Sequence, residues 1–455
     1  MVIRLCNMFT RILLVFLGSG HAAWHAALTL KQSGKQVAIV EKDTIAGTCT
    51  NYGCNAKILL EGPYEVLEEA KQYPNIIDSH NLEVNWKNLM HYKEQVINPM
   101  SETLTSMFEQ QGIDVIMGKG KLVDAHTIEV NNTTLQSDYI VIATGQHSHQ
   151  LDIEGKEYTH DSREFLSMQS LPDSITFIGA GIISIEFASI MVKSGVEVNV
   201  IHHTNQALEG FNESHVNKLI QKLKDEGVKF YFSENTKSVR PNAQRFIVET
   251  ESGKMIETDY VLDATGRKPN VQQIGLEKVG IQFSDRGIEV DDYLRTNVKN
   301  IYASGDVINK MIPKLTPTAT FESNYIAAHI LGLNTDAIQY PPIPSVLYSL
   351  PRLSQIGVTV SEAKKDDTYM IKDIPFGRQM VFEYQNETEA EMSIVLDSHK
   401  RLVGAEIYGN DAGDLVNLLV FIINQKLTAQ DLNKNIFAFP GASSGVIDLL
   451  KLAMM

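Results

Sequence analysis

The chain has 455 residues, 43% hydrophobic and 21% charged, with a net charge of −15 and three cysteines. That length exceeds one core and calls for about two to four domains. The acidic balance excludes nucleic acid or an anionic membrane as the main partner. So few cysteines exclude a secreted disulfide framework; they point to a reducing cytoplasm, where a disulfide is transient and catalytic.

Arg4 and Arg11 precede the apolar run 12–17, a loose imitation of a secretion signal. The run feeds straight into Gly18-Ser19-Gly20-His21-Ala22-Ala23, so it reads as a buried strand entering a phosphate-binding turn. Cleavage there would destroy the turn, and no segment is long enough to span a membrane. The residues before Arg11 read as an extension, with Cys6 incidental.

A helix over 21–33 follows, then a strand over 37–40 closing on Glu41. This is a βαβ unit with GxGxxA at the turn and an acid about twenty positions on, the dinucleotide fingerprint. Gly18 and Gly20 let backbone approach a pyrophosphate at the helix N-terminus, and Glu41 is placed for the adenosine ribose.

Next comes Gly47-Thr48-Cys49-Thr50-Asn51-Tyr52-Gly53-Cys54-Asn55-Ala56-Lys57. A CxxC would suggest a thioredoxin-like motif or zinc, and this wider spacing without a second pair fits neither. With Thr48 opening the first turn of a helix, both sulfurs approach across that turn, and the helix N-terminus favours a thiolate. A redox pair is the reading; two unrelated buried cysteines is the alternative.

Residues 58–110 read as helical, with Pro74 and Pro99 as breaks. Short strands follow at 115–117, 121–123 and 127–130, then Tyr139–Ile142 closing on Ala143-Thr144-Gly145. A second fingerprint begins at Ser174: strand 175–178, Gly179-Ala180-Gly181, a helix through Glu186, and strand 196–201. Strand 260–263 again closes on Ala-Thr-Gly, ending at Gly266. Two dinucleotide sites flanking a cysteine pair imply electron transfer between two cofactors. A strand ending in Gly305-Asp306 and a helix opening at Thr316-Pro317 come next, with Pro317 well placed near a helix start. From about Pro341 the chain is strand-rich, then helical.

Taken in order, GSGHAA, GTCTNYGCNAK, ATG, GAGIISIE, ATGRKPN, YASGDV and KLTPTA resemble the pyridine nucleotide-disulfide oxidoreductases, over about Ile12 to Pro440. The resemblance implies an α/β chain with two Rossmann-like domains and a C-terminal α+β dimerisation domain. The implied segments are 1–148 and 271–338 for FAD, 149–270 for NAD(P), and 339–455 for a homodimer interface. It also implies FAD in the first site and NADPH or NADH in the second.

By the same resemblance Cys54 lies against the flavin as a charge-transfer thiolate and Cys49 is the interchange thiol. Lys57 and Glu186 are a pair beside the flavin, where a positive charge favours its reduced form. Asp306 holds the ribityl chain, Thr316 opens a helix toward the pyrimidine, and Gly120 contacts the adenine. Thr48, Thr144 and Gly145 complete the first site; Gly179, Gly181, His203 and Gly266 serve the second.

Departures bear on the acceptor. Dithiol-handling members carry a His-Pro pair with a glutamate five residues on, and Phe439 and Ser444 stand in those places. The C-terminus, Leu452-Ala453-Met454-Met455, lacks the cysteine pair of mercuric reductases; Ile182 replaces a gating tyrosine, and Ala56 a proline. The implied activity is electron transfer from NAD(P)H through flavin to Cys49–Cys54 and on to a disulfide-type substrate. Thiol-mediated reduction of Cu(II), Hg(II) or a quinone is the alternative. A redox sensor and an oxygen-using oxidase are rivals: the first predicts no turnover, the second turnover without Cys49. No acid ends strand 196–201, where His202 and His203 are placed to bind a phosphate when protonated, although Glu209 falls where an arginine often lies. NADPH is therefore preferred. No metal site is expected, since adjacent strand residues face opposite ways. Tyr348, Arg352 and Glu406 fall where a substrate cleft could be lined, but read as surface or packing residues.

Overall fold

The computed structural model describes residues 12–79 and 81–455. Arg4, Cys6 and Arg11 lie outside the described residues. The chain forms two compact units, 12–57 with 91–149 and 267–339, and 58–90 with 150–266 and 340–455.

In the first unit β1 (Ile12–Leu17), α1 (His21–Gln32) and β2 (Val37–Glu41) form the expected βαβ. All of β2 and nearly all of β1 is buried, which explains their unbroken apolar runs. α2 (Gly47–Tyr52), α3 (Cys54–Lys71) and α4 (Trp86–Gln110) follow. After them come β3 (Asp114–Met117), β4 (Lys121–Asp124), β5 (Thr127–Val130) and β6 (Thr133–Ile142).

The sheet runs β3-β2-β1-β6-β5-β4, and the strand Ile301–Ala303 also pairs with β6. Its parallel register sets Leu17, Ile142 and Ala303 level. The turns after these three strands therefore share one edge, the carboxyl edge where such sheets bind ligands. α1 presents Ala22, Ala23, Ala26 and Ala27 inward, and the Ala26 amide donates to Ser323 Oγ on the helix Thr316–Ile330. Small side chains allow that close approach.

Pro99 lies inside α4 and does not end it. The reason is burial: Trp86, Leu89, Met90, Ile97 and Phe108 are all buried along that helix. At about 1.5–3 kcal/mol per large apolar side chain, five of them offset the roughly 3 kcal/mol of an interior proline. The predicted break at Pro74 does fall between α3 and α4.

The second unit holds a parallel sheet of Lys229–Phe232, Glu197–His202, Ser174–Ile178 and Tyr260–Asp263, in that order. Ile178 pairs with both Ile201 and Asp263, so the Gly179 and Gly266 turns also share an edge. A three-stranded antiparallel sheet accompanies it. The C-terminal part is a five-stranded antiparallel sheet with the helix Ala412–Asn424 packed against it around Met392, Ile394, Ile407, Leu415 and Leu419. The whole is an α/β chain with an α+β C-terminal part.

Candidate active site

The cysteine motif does not form one helix. Gly53 adopts φ −143°, ψ −121° and ends α2, so Cys49 lies inside α2 while Cys54 opens α3. A Cβ on Gly53 would come 3.0 Å from Thr48 O, a tight approach that a side chain could take only if the backbone gave by a few tenths of an ångström. The sulfurs thus face each other across a helix-to-helix junction. The loop before them is held by Asn51, whose Nδ2 donates to Ile45 O and Gly47 O.

Both cysteines are free thiols; Cys49 is half-buried, and Cys54 is open on one side while the surrounding protein still desolvates its sulfur. The Cys49 thiol donates to Cys54 and draws it down to about 6, against burial; the Thr316 hydroxyl and the Lys57 charge act in the same sense as Cys49. Cys49 is pushed up, first by sharing its proton with Cys54 and then by burial. The pair is one thiolate and one thiol, the charge resting on Cys54. Thr316 Oγ1 sits 3.6 Å from Cys54 Sγ at the start of a fifteen-residue helix whose positive end adds to the effect.

The other first-unit candidates gather on the sheet's carboxyl edge. Gly18 has φ +109°, and a Cβ there would come 2.2 Å from Ala143 O, so the glycine turn lies directly on the Ala-Thr-Gly turn. Thr144 Oγ1 donates to Asn270 O, and Asn270 Nδ2 returns a bond to Thr144 O. Glu41 is buried; its Oε2 accepts from the Ser19 amide and hydroxyl at 3.0 and 2.6 Å, and its Oε1 from the Asp43 amide. Gly120 packs over the ends of β1 and β2, where a Cβ would meet Leu17 and Val40. Thr48 is exposed on α2 beside Cys49.

Asp306 follows the strand Ile301–Ala303; burial pushes its carboxyl up against the opposing pull of Arg267 and Lys314. It lines a shallow, open depression with Lys314, Thr318 and Glu322. Glu322 is buried and accepts the Gly305 amide at 2.5 Å.

These residues fit a flavin dinucleotide. A Cβ at Gly20 or Gly145 would enter open space, and Thr318 Oγ1 is buried without a hydrogen-bond partner while its residue lines the depression at Asp306. Ser19, Asn51, Asn270 and Glu322 escaped the sequence reading. Ser19 alone had a signal, its place between two fingerprint glycines.

In the second unit Gly179 has φ +100° and lies against Ala264 O; Gly181 heads its helix with open space at its Cβ, and Gly266 has φ +150°. Glu186 is buried and accepts the Tyr348 amide at 2.8 Å. Lys57 and Glu186 belong to different units. His203 is exposed. The opposite-faces argument for the histidines fails, because the strand ends at His202 and the two rings come to 4.7 Å, edge-on. His202 Nδ1 accepts the Ala180 amide of the second fingerprint. Arg352 pairs with Glu61 and Glu65, and Glu406 accepts from Asn212, so both pack as expected.

The family model for pyridine nucleotide-disulphide oxidoreductases matches residues 13–323, and that for their dimerisation domain matches 343–449. The chain belongs to this family. Its members are FAD-containing oxidoreductases that use NAD(P)H, so the two fingerprints and the cysteine pair are those of a flavoenzyme. A dihydrolipoyl dehydrogenase of Bacillus subtilis is 30% identical, covering 96% of this chain and 95% of the relative. A mercuric reductase of Staphylococcus aureus is 27% identical over 97% and 82%. Among solved structures, the Cu(II) complex of the HOCl-induced flavoprotein disulfide reductase RclA of Escherichia coli superposes with TM-score 0.86 at 23% identity, covering 96% and 98%. Among the described residues no helix is long and apolar enough to cross a membrane.

Proposed function

We propose that this flavoenzyme oxidises NADPH, with NADH as the lesser donor, and delivers the electron pair through Cys49–Cys54 to a thiol-reactive metal ion such as Cu(II). The observation that carries the relay is the placement of Cys49 and Cys54 across one helix-to-helix junction, with Cys54 Sγ 3.6 Å from Thr316 Oγ1. Bound FAD would supply hydride acceptance from the nicotinamide and two-electron reduction of the disulfide. Gly18, Gly20, Glu41, Thr48, Gly120, Thr144, Gly145, Asp306 and Thr316 would hold it, with Lys57 adding positive charge. Gly179, Gly181, Glu186, His203 and Gly266 would serve the nicotinamide cofactor. The proposed segments are 1–148 and 271–338 for FAD, 149–270 for NADPH and 339–455 for a homodimer interface, in the cytoplasm.

The choice of acceptor rests on protons. A disulfide acceptor leaves a thiolate that needs a proton, and acid help of that kind is worth roughly 10²–10⁴-fold. Phe439, 84% exposed, has no proton to give, and the Ser444 hydroxyl donates to Gly441 O at 2.8 Å. Cu(II) needs no such acid: the thiolate–thiol pair gives one electron to each of two ions, forming the disulfide, two Cu(I) and one proton. The solved RclA complex with Cu(II) supports this class of acceptor.

Anaerobic NADPH consumption against Cu(II), Hg(II) and small disulfides tests the proposal, with Cys49→Ser in parallel. Turnover with a metal ion, lost in the variant while flavin stays bound, is expected. Turnover confined to a disulfide would move the acceptor to that class, and turnover surviving Cys49→Ser would remove the relay.

A further inference from the structure

The acceptor chemistry leaves unused a histidine pair on α1. His21 and His25 stand four residues apart on one face, with His21 Nδ1 3.1 Å from His25 Nε2. This i, i+4 spacing is the one by which a single helix offers two imidazoles to one ion. Two metal–nitrogen bonds of about 2.0–2.1 Å at near-tetrahedral or square angles set the nitrogens about 2.9–3.4 Å apart. The observed separation falls inside that bite.

We propose that His21 and His25 chelate one divalent, imidazole-preferring cation, Cu(II) ahead of Zn(II), at a site separate from Cys49–Cys54. The order follows the general affinity series for nitrogen ligands. Solvent or an anion completes the coordination, since no group of three or more ligating side chains occurs among the described residues. Trp24 fixes the geometry: its ring stacks on His25 with centroids 3.5 Å apart and planes at 26°, and it also lies 5.3 Å from His21. Without an ion the same two nitrogens share a hydrogen bond, so chelation moves that proton to the outer nitrogen of the donor ring. Burial shifts both imidazoles downward, which favours the neutral form a metal ligand requires. The site stands whatever acceptor the cysteines serve.

The test uses FAD-loaded enzyme in its disulfide form, without NADPH and in a Cys6→Ser background, so that no thiol competes. Cu(II) is the probe, read by quenching of tryptophan fluorescence, since the chain has two tryptophans and one is Trp24. Saturation at one equivalent is expected, with the Cu(II) resonance spectrum showing coupling to two imidazole nitrogens. His25→Gln should weaken binding by at least the roughly 10–100-fold that losing a supporting contact costs at metal sites. The flavin-to-protein ratio reports whether that variant is folded. A spectrum without two-imidazole coupling in the parent overturns the proposal, and so does unchanged affinity in flavin-loaded His25→Gln. If His25→Gln fails to hold flavin, the parent's resonance spectrum alone decides.

Discussion

At the scale of single residues the chemistry turns on one shared proton. Because Cys49 donates to Cys54, the reduced pair loses its first proton near pH 6 and keeps the second well above neutrality. The folded value of Cys54 lies below that of a free thiol, so its thiolate is stabilised above the free-thiol range and is lost as pH falls through about 6. Thiolate absorbance of the reduced protein should therefore rise through that region. Thr316→Val removes a hydroxyl from Cys54 and should move the rise to higher pH; an unmoved curve would assign the effect to Cys49 alone. The cysteines, the glycines and Glu41 were legible in sequence because each answers a local demand. Ser19 was marked only by its place between two fingerprint glycines; that its hydroxyl reaches Glu41 and the Ala46 amide, 22 and 27 positions away, is long-range and left no trace in the local pattern.

At the scale of elements, what was legible was periodicity, and what was not was how one element ends on another. Both fingerprints and both Ala-Thr-Gly turns sit where buried apolar strands run out, and the strand order follows from them. The split at Gly53 was hidden because the motif reads as the first turn of one helix; it lies where Gly53 leaves helical backbone at φ −143°, ψ −121°. Pro99 misled in the opposite sense, its local cost overridden by burial along α4. The contact between the Gly18 turn and Ala143 gives an element-scale prediction. Gly18→Ala places a methyl 2.2 Å from a backbone oxygen at φ +109°, so the turn must open or the strands must shift. Overpacking costs about 1–3 kcal/mol, and positive φ adds to it. The variant should unfold at lower temperature and carry less flavin, whereas Gly20→Ala, which meets no protein atom within 4 Å, should fold normally and lose flavin alone. Equal melting of the two variants would refute this division of roles.

At the scale of the whole molecule the C-terminal part is unfinished by itself. Phe421, Ile436, Phe439, Leu452 and Met455 all stand exposed in or just beyond the segment that matches the family's dimerisation domain. Isolated exposed apolar residues are ordinary, and it is the match to the family's dimerisation domain that makes these five candidates for an association surface. Ile436 is fully exposed and contributes nothing to the apolar core of that segment, so changing it leaves the fold intact. The protein should sediment as a dimer, and Ile436→Asp with Leu452→Asp should shift it to monomer without lowering its melting by more than the lost interface explains. Dissociation should also separate the two functions of the chain. The residues proposed to hold flavin all belong to the first unit, so flavin binding should survive in the monomer. Turnover should fall only if the acceptor site needs both copies. Retention of full activity by a stable monomer would mean that Phe439 has no part in receiving the acceptor, and the argument for metal ions would then rest on the cysteines alone.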